Sequence, residues 1–235
     1  MLASLRAIFF IDPLIILLTI VMGALSFGAS LFDKTGRRQN RIARAWARML
    51  LQVSGVRLTI EGLEKLDPGA SYVLAANHLS LMDIPVVLAT IPLEIRFFAK
   101  KGLFQIPFLG THLNRAGHLP VVRDDPRASV KILQAAAHRL RHDGISPLLF
   151  PEGGRAPEEM REFKEGAAHL AIKAGVPIVP VALAGTREVL RMGSVIVRPG
   201  KVRVRVANPI ETAGLKPHDR AELNRRLRDT IVELL

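Results

Sequence analysis

The sequence predicts an α/β domain in which helices flank a mixed, mostly parallel sheet. Short β-rich runs alternate with helical stretches over the C-terminal three quarters of the chain. One helical stretch, Arg127–Arg141, carries its apolar residues on a single stripe: Val130, Leu133, Ala137 and Leu140. An uncharged N-terminal run precedes the domain and predicts a membrane-embedded hydrophobic helix.

The predicted elements follow one another at intervals typical of β–α units. Strands are predicted at Val56–Ile60, Tyr72–Ala76, Ile95–Ala99, His118–Val122, Pro147–Phe150, Ile178–Leu183 and Val202–Val206. Helices are predicted at Ile84–Thr90, Pro126–His142, Glu162–Ala174 and Pro217–Leu234. Ligands of such domains bind at the carboxyl ends of the strands, so residues directly after a strand are the first candidates for a site.

The N-terminal apolar run is long enough to reach through a bilayer. Pro13–Leu31 contains 19 residues without a charge, and as a helix it would extend about 28 Å, close to the ~30 Å hydrocarbon thickness. A cleaved secretory signal is the rival interpretation, because Arg6 precedes the run and small residues follow it. The length and the basic segment that comes next favour a retained helix. Asp12 and Gly23 leave a full span and a bent helix in one leaflet both open.

The segment 33–57 holds half of the net charge of +12, with seven basic residues against one acidic residue. Apolar residues recur among them at helical spacing: Ile42, Ala45, Trp46, Met49 and Leu50. This pattern predicts a basic amphipathic interfacial helix that binds anionic membrane lipids. Residues 1–53 are therefore predicted to be membrane-anchoring helices. Residues 54–235 are predicted to form one domain, on the cytoplasmic face of the inner membrane.

Nucleic acid is the usual rival partner for a chain with a pI near 11.0. The sequence has no nucleic-acid-binding motif, and only 5% of its residues are aromatic. Base stacking needs aromatic side chains, so we expect no nucleic-acid partner. The chain has no Cys and no histidine pattern with metal-ligand spacing, so we expect no metal. We expect the remaining histidines to lie at the surface or directly behind the residues of a site.

The run Asn77-His78-Leu-Ser-Leu-Met-Asp83 directly follows the apolar strand Tyr72–Ala76. Five residues on a straight helix rotate by roughly 140°, which would point the His and Asp side chains apart. The two side chains can meet if His78 lies on the turn that leaves the strand and Asp83 on the first turn of the next helix. The carboxylate would then orient the imidazole as a general base. A surface histidine with no catalytic role is the alternative.

A second candidate loop, Phe150-Pro-Glu-Gly-Gly-Arg155, follows another apolar strand. Its two glycines allow close approach of a ligand to the backbone, where consecutive N–H groups can surround an anion. Arg155 adds a planar fork that matches a phosphate. A plain turn with a solvated Arg is the alternative. Neither a Gly-x-Ser-x-Gly nor a Walker motif is present, so the sequence indicates neither a covalent serine nucleophile nor nucleotide hydrolysis.

Four blocks in order resemble the glycerolipid acyltransferase family. They are Asn77-His78-x4-Asp83, the run from Lys100 to Gly110 that continues to Arg123, Phe150–Arg155, and Val176–Ala182. The resemblance implies a membrane-bound enzyme that moves an acyl chain from acyl-CoA or acyl-acyl-carrier protein. The implied acceptor is the free hydroxyl of 1-acylglycerol-3-phosphate (lysophosphatidate), and the product is phosphatidate. No cofactor is implied.

The resemblance also assigns roles to residues. His78 and Asp83 would be catalytic, and Asn77 and Arg123 supporting. The implied substrate-binding residues are Lys101, Glu152, Gly153, Gly154 and Arg155. Glu152 would help to build the acceptor site, although it could also only hold Arg155 in place. The oxyanion donors could be backbone N–H groups after His78 or in the Gly153–Gly154 turn.

The chain departs from the family pattern at two positions. Most relatives have Thr in place of Gly154 and an acidic residue in place of Gly102. The exact acceptor therefore stays open, and another lysolipid such as lyso-ornithine lipid is the first alternative. A non-catalytic module that binds the membrane surface through its basic helix is the second alternative.

Overall fold

The computed structural model describes residues 7–121, 126–155 and 159–235. Within them, seven strands form one sheet in the order β1-β7-β6-β2-β5-β3-β4. The strands are β1 Val56–Glu61, β2 Val73–Ala76, β3 Ile95–Lys100, β4 Leu119–Val121, β5 Ser146–Leu149, β6 Ile178–Ala184 and β7 Gly200–Val206. Neighbouring strands are parallel except β6 and β7, which are antiparallel. The predicted mixed, mostly parallel sheet is confirmed.

Helices connect these strands and cover both faces of the sheet. A π-helical segment, Ala7–Ile11, leads into the first α-helix. The α-helices of the described residues are α1 Asp12–Ser30, α2 Arg37–Val53, α3 Asp83–Thr90, α4 Leu109–Arg115, α5 Pro126–Asp143, α6 Gly166–Ala174, α7 Thr186–Val189 and α8 Arg220–Leu234. Short 3-10 turns occur at Leu63–Lys65, Lys101–Gln105 and Pro217–Asp219.

The core consists of two apolar layers, one on each side of the sheet. Strand β2 contributes to both, because successive side chains of a strand point to opposite faces. Leu74 and Ala76 pack with α2 and α3, whereas Val73 and Ala75 pack with α5, α6 and α8. Burial on both faces explains why β2 is a continuous apolar run rather than an alternating one.

One predicted helix begins later than the sequence indicated. Helix α6 starts at Gly166 instead of Glu162. The carbonyl of Phe163 accepts a hydrogen bond from Asn224 Nδ2 at 2.8 Å, and the N–H of Lys164 donates to the carbonyl of Pro151 at 2.9 Å. These contacts bind the preceding segment to α8 and to the loop after β5, and so hold it outside the helix.

Helix α1 contacts the rest of the protein through packed apolar side chains, such as Ile15 and Leu18, and through one polar stripe. Together with the π-helical segment before it, α1 forms one continuous helix, Ala7–Ser30, whose length and composition would allow it to cross a membrane. Its polar contacts come from Asp12, Thr19, Ser26 and Ser30. Steps of seven and four residues return to nearly the same side of a helix. The stripe therefore runs along the whole length of α1.

The four partners of this stripe come from three separate parts of the domain, because His112 and Arg115 both lie on α4. They are the N–H of Val197, the indole N–H of Trp46, the ring of His112 and the guanidinium of Arg115, at 2.8–3.3 Å. The opposite side of α1 is solvent-exposed and apolar, and it includes Ile16, Leu17, Ile20, Val21 and Leu25. Helix α1 thus lies along the domain with an uncovered apolar face.

Helix α2 forms where the basic interfacial helix was predicted, but part of it has internal partners. Arg44 is partly buried, and its Nη1 donates to the carbonyls of Ile91 and Leu93 at 2.6 and 3.2 Å. Burial lowers the pKa of Arg44. This arginine therefore stabilises the carboxyl end of α3. Contact between α2 and lipid stays a prediction, and the exposed cations that would make it are Arg37, Arg38, Arg41 and Arg48.

Candidate active site

The sheet brings three candidate loops to one edge. Strands β2, β5 and β3 are adjacent and parallel, so their carboxyl ends lie on the same side. His78 follows β2, Glu152 follows β5, and Lys101 follows β3 directly. Neighbouring strands are about 4.8 Å apart, which puts β3 about 10 Å from β2 across β5. The candidate site spans these three strand ends.

His78 and Asp83 are in direct contact. Asp83 is the first residue of α3, and His78 lies on the turn between β2 and that helix. The Nδ1 of His78 and the Oδ2 of Asp83 are 2.8 Å apart. The same Oδ2 accepts the backbone N–H groups of Leu79 and Ser80 at 2.7 and 2.8 Å. A carboxylate can only accept, so Nδ1 carries a hydrogen, and in the neutral imidazole Nε2 then has the free lone pair.

A stacking contact also restricts the imidazole ring of His78. Its ring stacks on the ring of Phe150, with centroids 4.0 Å apart and planes inclined by 16°. Asp83 is fully buried, whereas 14% of the His78 side chain is exposed. Because Asp83 and Phe150 restrict the tilt and rotation of the ring, the Nε2 edge is the part of His78 that a substrate can reach.

Glu152 connects the loop after β5 to the loop after β2. Its carboxylate is buried, and Oε1 accepts the backbone N–H of His78 at 2.6 Å. Oε2 accepts the backbone N–H of Arg161 at 3.0 Å. Both oxygens of Glu152 are thus engaged with the backbone, one of them at the candidate base itself. Through this contact Glu152 positions His78 as well as its own loop.

The turn that carries Glu152 requires glycine at the next position. Gly153 has a φ of 71°, a conformation that costs little only for glycine. A Cβ there would also lie 3.1 Å from the side chain of Lys164. The N–H of Gly153 donates to the carbonyl of Phe150 at 2.9 Å, which closes the turn. Gly154 and Arg155 continue from it, both partly exposed.

Asn77 and Ser80 stabilise the turn that carries His78. The side chain of Asn77 is fully buried and pairs with the backbone of Leu183 on β6, at 2.9 Å as donor and 2.8 Å as acceptor. Ser80 Oγ donates to the carbonyl of Leu190 at 2.7 Å and accepts the N–H of Met82 at 3.2 Å. Sequence reasoning missed Ser80. Its position three residues before Asp83, at a helix start, was the available signal.

The two candidate cations are Lys101 and Arg155, and both are more exposed than Asp83. Lys101 is exposed on the 3-10 turn Lys101–Gln105, and Arg155 is half-buried. Among the described residues, neither side chain has a carboxylate within ion-pair distance. The structure therefore leaves both cations available to an anionic ligand. Arg123, predicted as a supporting residue, lies outside the described residues.

His118, expected near the surface, is instead internal. Its Nδ1 accepts the N–H of Phe97 at 2.9 Å, and burial lowers its pKa to about 3. His118 is therefore neutral and links β3 to the start of β4. In the described ranges 7–121, 126–155 and 159–235, no three His, Asp or Glu side chains cluster in a way that could hold a metal ion.

The acyltransferase family model matches residues 57–184, more than half of the chain. The chain belongs to the acyltransferase family. The matched region includes all three strand ends of the candidate site. The structure also resembles the crystal structure of the 1-acyl-sn-glycerophosphate (LPA) acyltransferase PlsC from Thermotoga maritima. The TM-score is 0.81 at 24% identity, over 97% of this chain and 94% of that one, so the two proteins share a fold.

Curated relatives are similar over the same region. The chain is 37% identical over 186 residues to the chloroplastic 1-acyl-sn-glycerol-3-phosphate acyltransferase of Arabidopsis thaliana, covering 77% of this chain and 51% of that protein. It is 33% identical over 177 residues to the 1-acyl-sn-glycerol-3-phosphate acyltransferase of Cocos nucifera, covering 75% and 57%. The chain therefore spans about half the length of these relatives.

Proposed function

We propose that this protein is a membrane-bound 1-acylglycerol-3-phosphate O-acyltransferase that uses acyl-CoA or acyl-acyl-carrier protein as donor. The observation that carries the proposal is the oriented pair His78–Asp83 at the carboxyl edge of the sheet. The names of the curated relatives support the acceptor, 1-acyl-sn-glycerol-3-phosphate or lysophosphatidate. Acylation of its free hydroxyl gives phosphatidate. No cofactor takes part in this reaction.

In the proposed mechanism, Nε2 of His78 accepts the proton of the acceptor hydroxyl as its oxygen attacks the thioester carbonyl carbon. The new C–O bond forms, and the C–S bond then breaks. The leaving thiolate then takes this proton from the imidazolium. No acyl-enzyme is formed, because the acceptor oxygen attacks the thioester directly. Asp83 stabilises the imidazolium through its 2.8 Å contact with Nδ1. The step needs no further acid or base.

We assign the oxyanion donors to the loop after β5. The backbone N–H groups of residues 78–80 donate to the carboxylates of Glu152 and Asp83. The N–H of Gly153 donates within its own turn. The next two N–H groups of that loop belong to Gly154 and Arg155, and these are the donors we propose for the developing negative charge.

We further propose that Arg155 and Lys101 bind the phosphate of the acceptor. They follow β5 and β3, adjacent strands on the edge where His78 lies. A phosphomonoester carries nearly two negative charges, which match a guanidinium fork and an ammonium. Glycine at position 154, where the family resemblance implies Thr, keeps another lysolipid acceptor as the second candidate.

An acceptor panel tests this function directly. The full-length chain in detergent is supplied with acyl-CoA or acyl-acyl-carrier protein and with lysophosphatidate, lyso-ornithine lipid or lysophosphatidylglycerol. Thiol release and lipid product are measured together. We expect acceptor-dependent thiol release that is largest with lysophosphatidate and lost in His78→Ala. Turnover with lyso-ornithine lipid and not with lysophosphatidate would show that the proposed acceptor is wrong. A lack of acceptor-dependent thiol release with every lipid would favour the non-catalytic module.

We also propose that α1 lies in the plane of one leaflet instead of crossing the bilayer. Thr19 and Ser26, in the middle and last third of α1, contact Trp46 and His112 of the domain. A spanning helix would draw those domain elements into the hydrocarbon, at a high cost for their polar groups. In the plane of the interface, the exposed apolar face enters lipid while the polar stripe stays on the protein.

The lack of cysteine in the chain makes this placement testable. Single-cysteine variants Ser4→Cys and Arg38→Cys place a thiol before and after the apolar helix, outside the face that would enter lipid. In sealed vesicles from the producing cell, an impermeant maleimide should reach both positions only from the cytoplasmic side. Labelling of the two ends from opposite sides would show a spanning helix. Labelling of both from the outer side would reverse the proposed inner-membrane, cytoplasmic location.

A further inference from the structure

A charged cavity lies at the edge of the sheet opposite to the edge that carries His78. It has a volume of about 550 Å³ and five cations among its lining residues: Lys34, Arg37, Arg96, Arg115 and Arg139. Asp143 is the one carboxylate in that lining. The cavity is formed by the turn between α1 and α2, the start of β3, the end of α4 and the end of α5.

The strand register separates this cavity from the candidate active site. Arg96 is the second residue of β3 and pairs with Pro147, one position before the pairing of Leu148 with Leu74 of β2. Strand β2 continues beyond that level to Ala76, three residues or about 10 Å further. The cavity therefore belongs to the amino ends of the strands, and no residue proposed for the acyl transfer lines it.

The walls of the cavity are preformed. The Asp33 carboxylate accepts hydrogen bonds from the hydroxyl and N–H of Thr35 and the N–H of Arg38, which lower the pKa of Asp33 to about 2. Gly36 has a φ of 77°, and a Cβ there would be 2.7 Å from the carbonyl oxygen of Ala116. The turn between α1 and α2 is thus rigid and packs tightly on the turn before β4.

The other wall is held by Arg139. Its Nη1 donates to the carbonyl of Gly117 at 2.8 Å, and its Nε to Asp143 Oδ2 at 3.1 Å. A Cβ at Gly117 would be 2.7 Å from the Arg139 guanidinium. The guanidinium is therefore immobilised at the cavity instead of extending into solvent.

Among the residues that the structure describes, the lining of the cavity carries more positive than negative charge. Arg96 is 1% exposed, and its carboxylate partner is Glu94, at 3.3 Å and partly exposed. The Nε of Arg96 is buried and has no hydrogen-bond partner among the described residues. Burial lowers the pKa of Arg96, and the like charges of Arg139 and Arg37 lower it further, partly offset by Glu94. The Nη atoms of Arg96 donate to oxygens of Glu94, Ile95 and Thr35. A bound anion would add negative charge that compensates the buried guanidinium.

An apolar groove approaches the same place along α1. It is lined by Ile20, Val21, Ala24, Leu25, Gly28 and Phe32 among others. Leu31 and Phe32 are 59% and 79% exposed and directly precede the turn that carries Lys34. If α1 lies in one leaflet, the groove faces acyl chains and the cationic cavity lies at the depth of the lipid phosphates.

We propose that this cavity binds the phosphate of one anionic phospholipid, whose acyl chain lies in the groove of α1. The proposal rests on the membrane placement of α1 given above and is independent of the acyl-transfer step. The chemistry recognised is a phosphate ester, and the adjoining groove favours a lipid over a free phosphate ion. A lipid held there would fix the height and orientation of the domain on an anionic leaflet.

The test uses phosphatidylglycerol, which carries no phosphomonoester, with phosphatidylcholine as the neutral comparison. Native mass spectrometry of the full-length chain in mild detergent counts retained lipids, and a titration gives Kd. The test variant is Lys34→Gln with Arg37→Gln. The matched control is Lys201→Gln with Arg226→Gln, which removes two exposed cations from the sheet face opposite α1. Thermal unfolding checks that all variants are folded.

We expect the wild type and the control to retain one phosphatidylglycerol in preference to phosphatidylcholine. The test variant should bind phosphatidylglycerol about 25-fold more weakly, since each basic residue near a lipid contributes about 1 kcal/mol. Arg155→Gln should retain the lipid, and inorganic phosphate at millimolar concentration should not displace it. Acyl transfer to lysophosphatidate, assayed on the same samples, tests the proposed function separately.

Four results would overturn the proposal. Unchanged binding in the test variant would exclude the cavity, and equal weakening in the control would indicate diffuse charge attraction. Loss of the lipid in Arg155→Gln alone would locate it in the acceptor site. Displacement by inorganic phosphate with no headgroup preference would identify a free-anion site instead of a lipid site.

Discussion

Replacing Asp83 by Asn tests the role of the carboxylate while keeping its shape. Oδ2 accepts three hydrogen bonds, from His78 Nδ1 and the N–H groups of Leu79 and Ser80, at 2.7–2.8 Å. Oδ1 is buried and has no partner among the described residues. The amide oxygen of Asn can therefore take the place of Oδ2, and its NH₂ group the place of Oδ1. The tautomer of His78 is preserved, and the negative charge is removed.

The expected loss follows from what the charge stabilises. An ion pair about 4 Å between charge centres is worth about 4 kcal/mol at an effective dielectric constant of 20. This interaction exists only when the imidazole of His78 is protonated, so its loss falls on the transition state and not on the resting enzyme. A neutral hydrogen bond recovers part of it. We expect kcat to fall about 10²- to 10³-fold with a small change in KM.

The assay is steady-state thiol release from acyl-CoA with lysophosphatidate as acceptor. Asp229→Asn, on the exposed face of α8, is the matched control and should keep wild-type kinetics. Circular dichroism and membrane sedimentation show whether the Asp83→Asn protein is folded and bound. The reasoning is refuted if a folded Asp83→Asn enzyme keeps more than about a tenth of the wild-type kcat, or if only KM changes.

Three further predictions concern other parts of the protein. Asn77→Ala should lower the free energy of unfolding by about 2–4 kcal/mol in urea titrations, because it leaves the buried N–H and carbonyl of Leu183 unpaired; the exposed Asn208→Ala should have little effect, and equal losses would contradict the prediction. Arg155→Lys should raise KM for lysophosphatidate before it raises KM for acyl-CoA, because it loses the bidentate fork; a raised donor KM alone would move Arg155 to the donor site. Asp33, with a folded pKa of about 2 against 3.8, contributes stability that is present above about pH 4 and lost as the pH falls toward 2. Asp33→Asn should remove that part of the pH dependence in acid unfolding curves, and an unchanged curve would show that its hydrogen bonds add nothing.

The pairing of His78 with Asp83 could be predicted because it is local. The two residues are five apart, and the end of an apolar strand beside the start of a helix allows few arrangements of the turn between them. The same holds for most strands and for α3 and α5, whose apolar periodicity follows from burial on one or two faces. The short helices α4 and α7 were not predicted, because helices of one or two turns depend on tertiary contacts more than on their own sequence.

The contacts that complete the site connect residues far apart in the chain. Glu152 reaches the N–H of His78, and Phe150 stacks on its ring, only because β5 inserts beside β2 in the sheet. The strand order is decided by the packing of both sheet faces together, and no local pattern around these residues encodes it. For this reason the sequence indicated Glu152 only as a part of the acceptor site or as a residue that holds Arg155, and its contact with His78 became visible only in the structure.

The sequence by itself determined the class of fold, the candidate base with its carboxylate, and the presence of an apolar helix next to a basic one. Each of these features depends on the spacing of residues that are close together in the chain. The tertiary structure decided which face of α1 is covered and where the cations of the basic segment point. The sequence does not show that Asp12, Thr19 and Ser26 contact the domain, because their hydrogen-bond partners lie on three distant segments. The cavity around Arg96 likewise joins residues from 34 to 145, because the crossovers of a parallel sheet bring the amino ends of distant strands together.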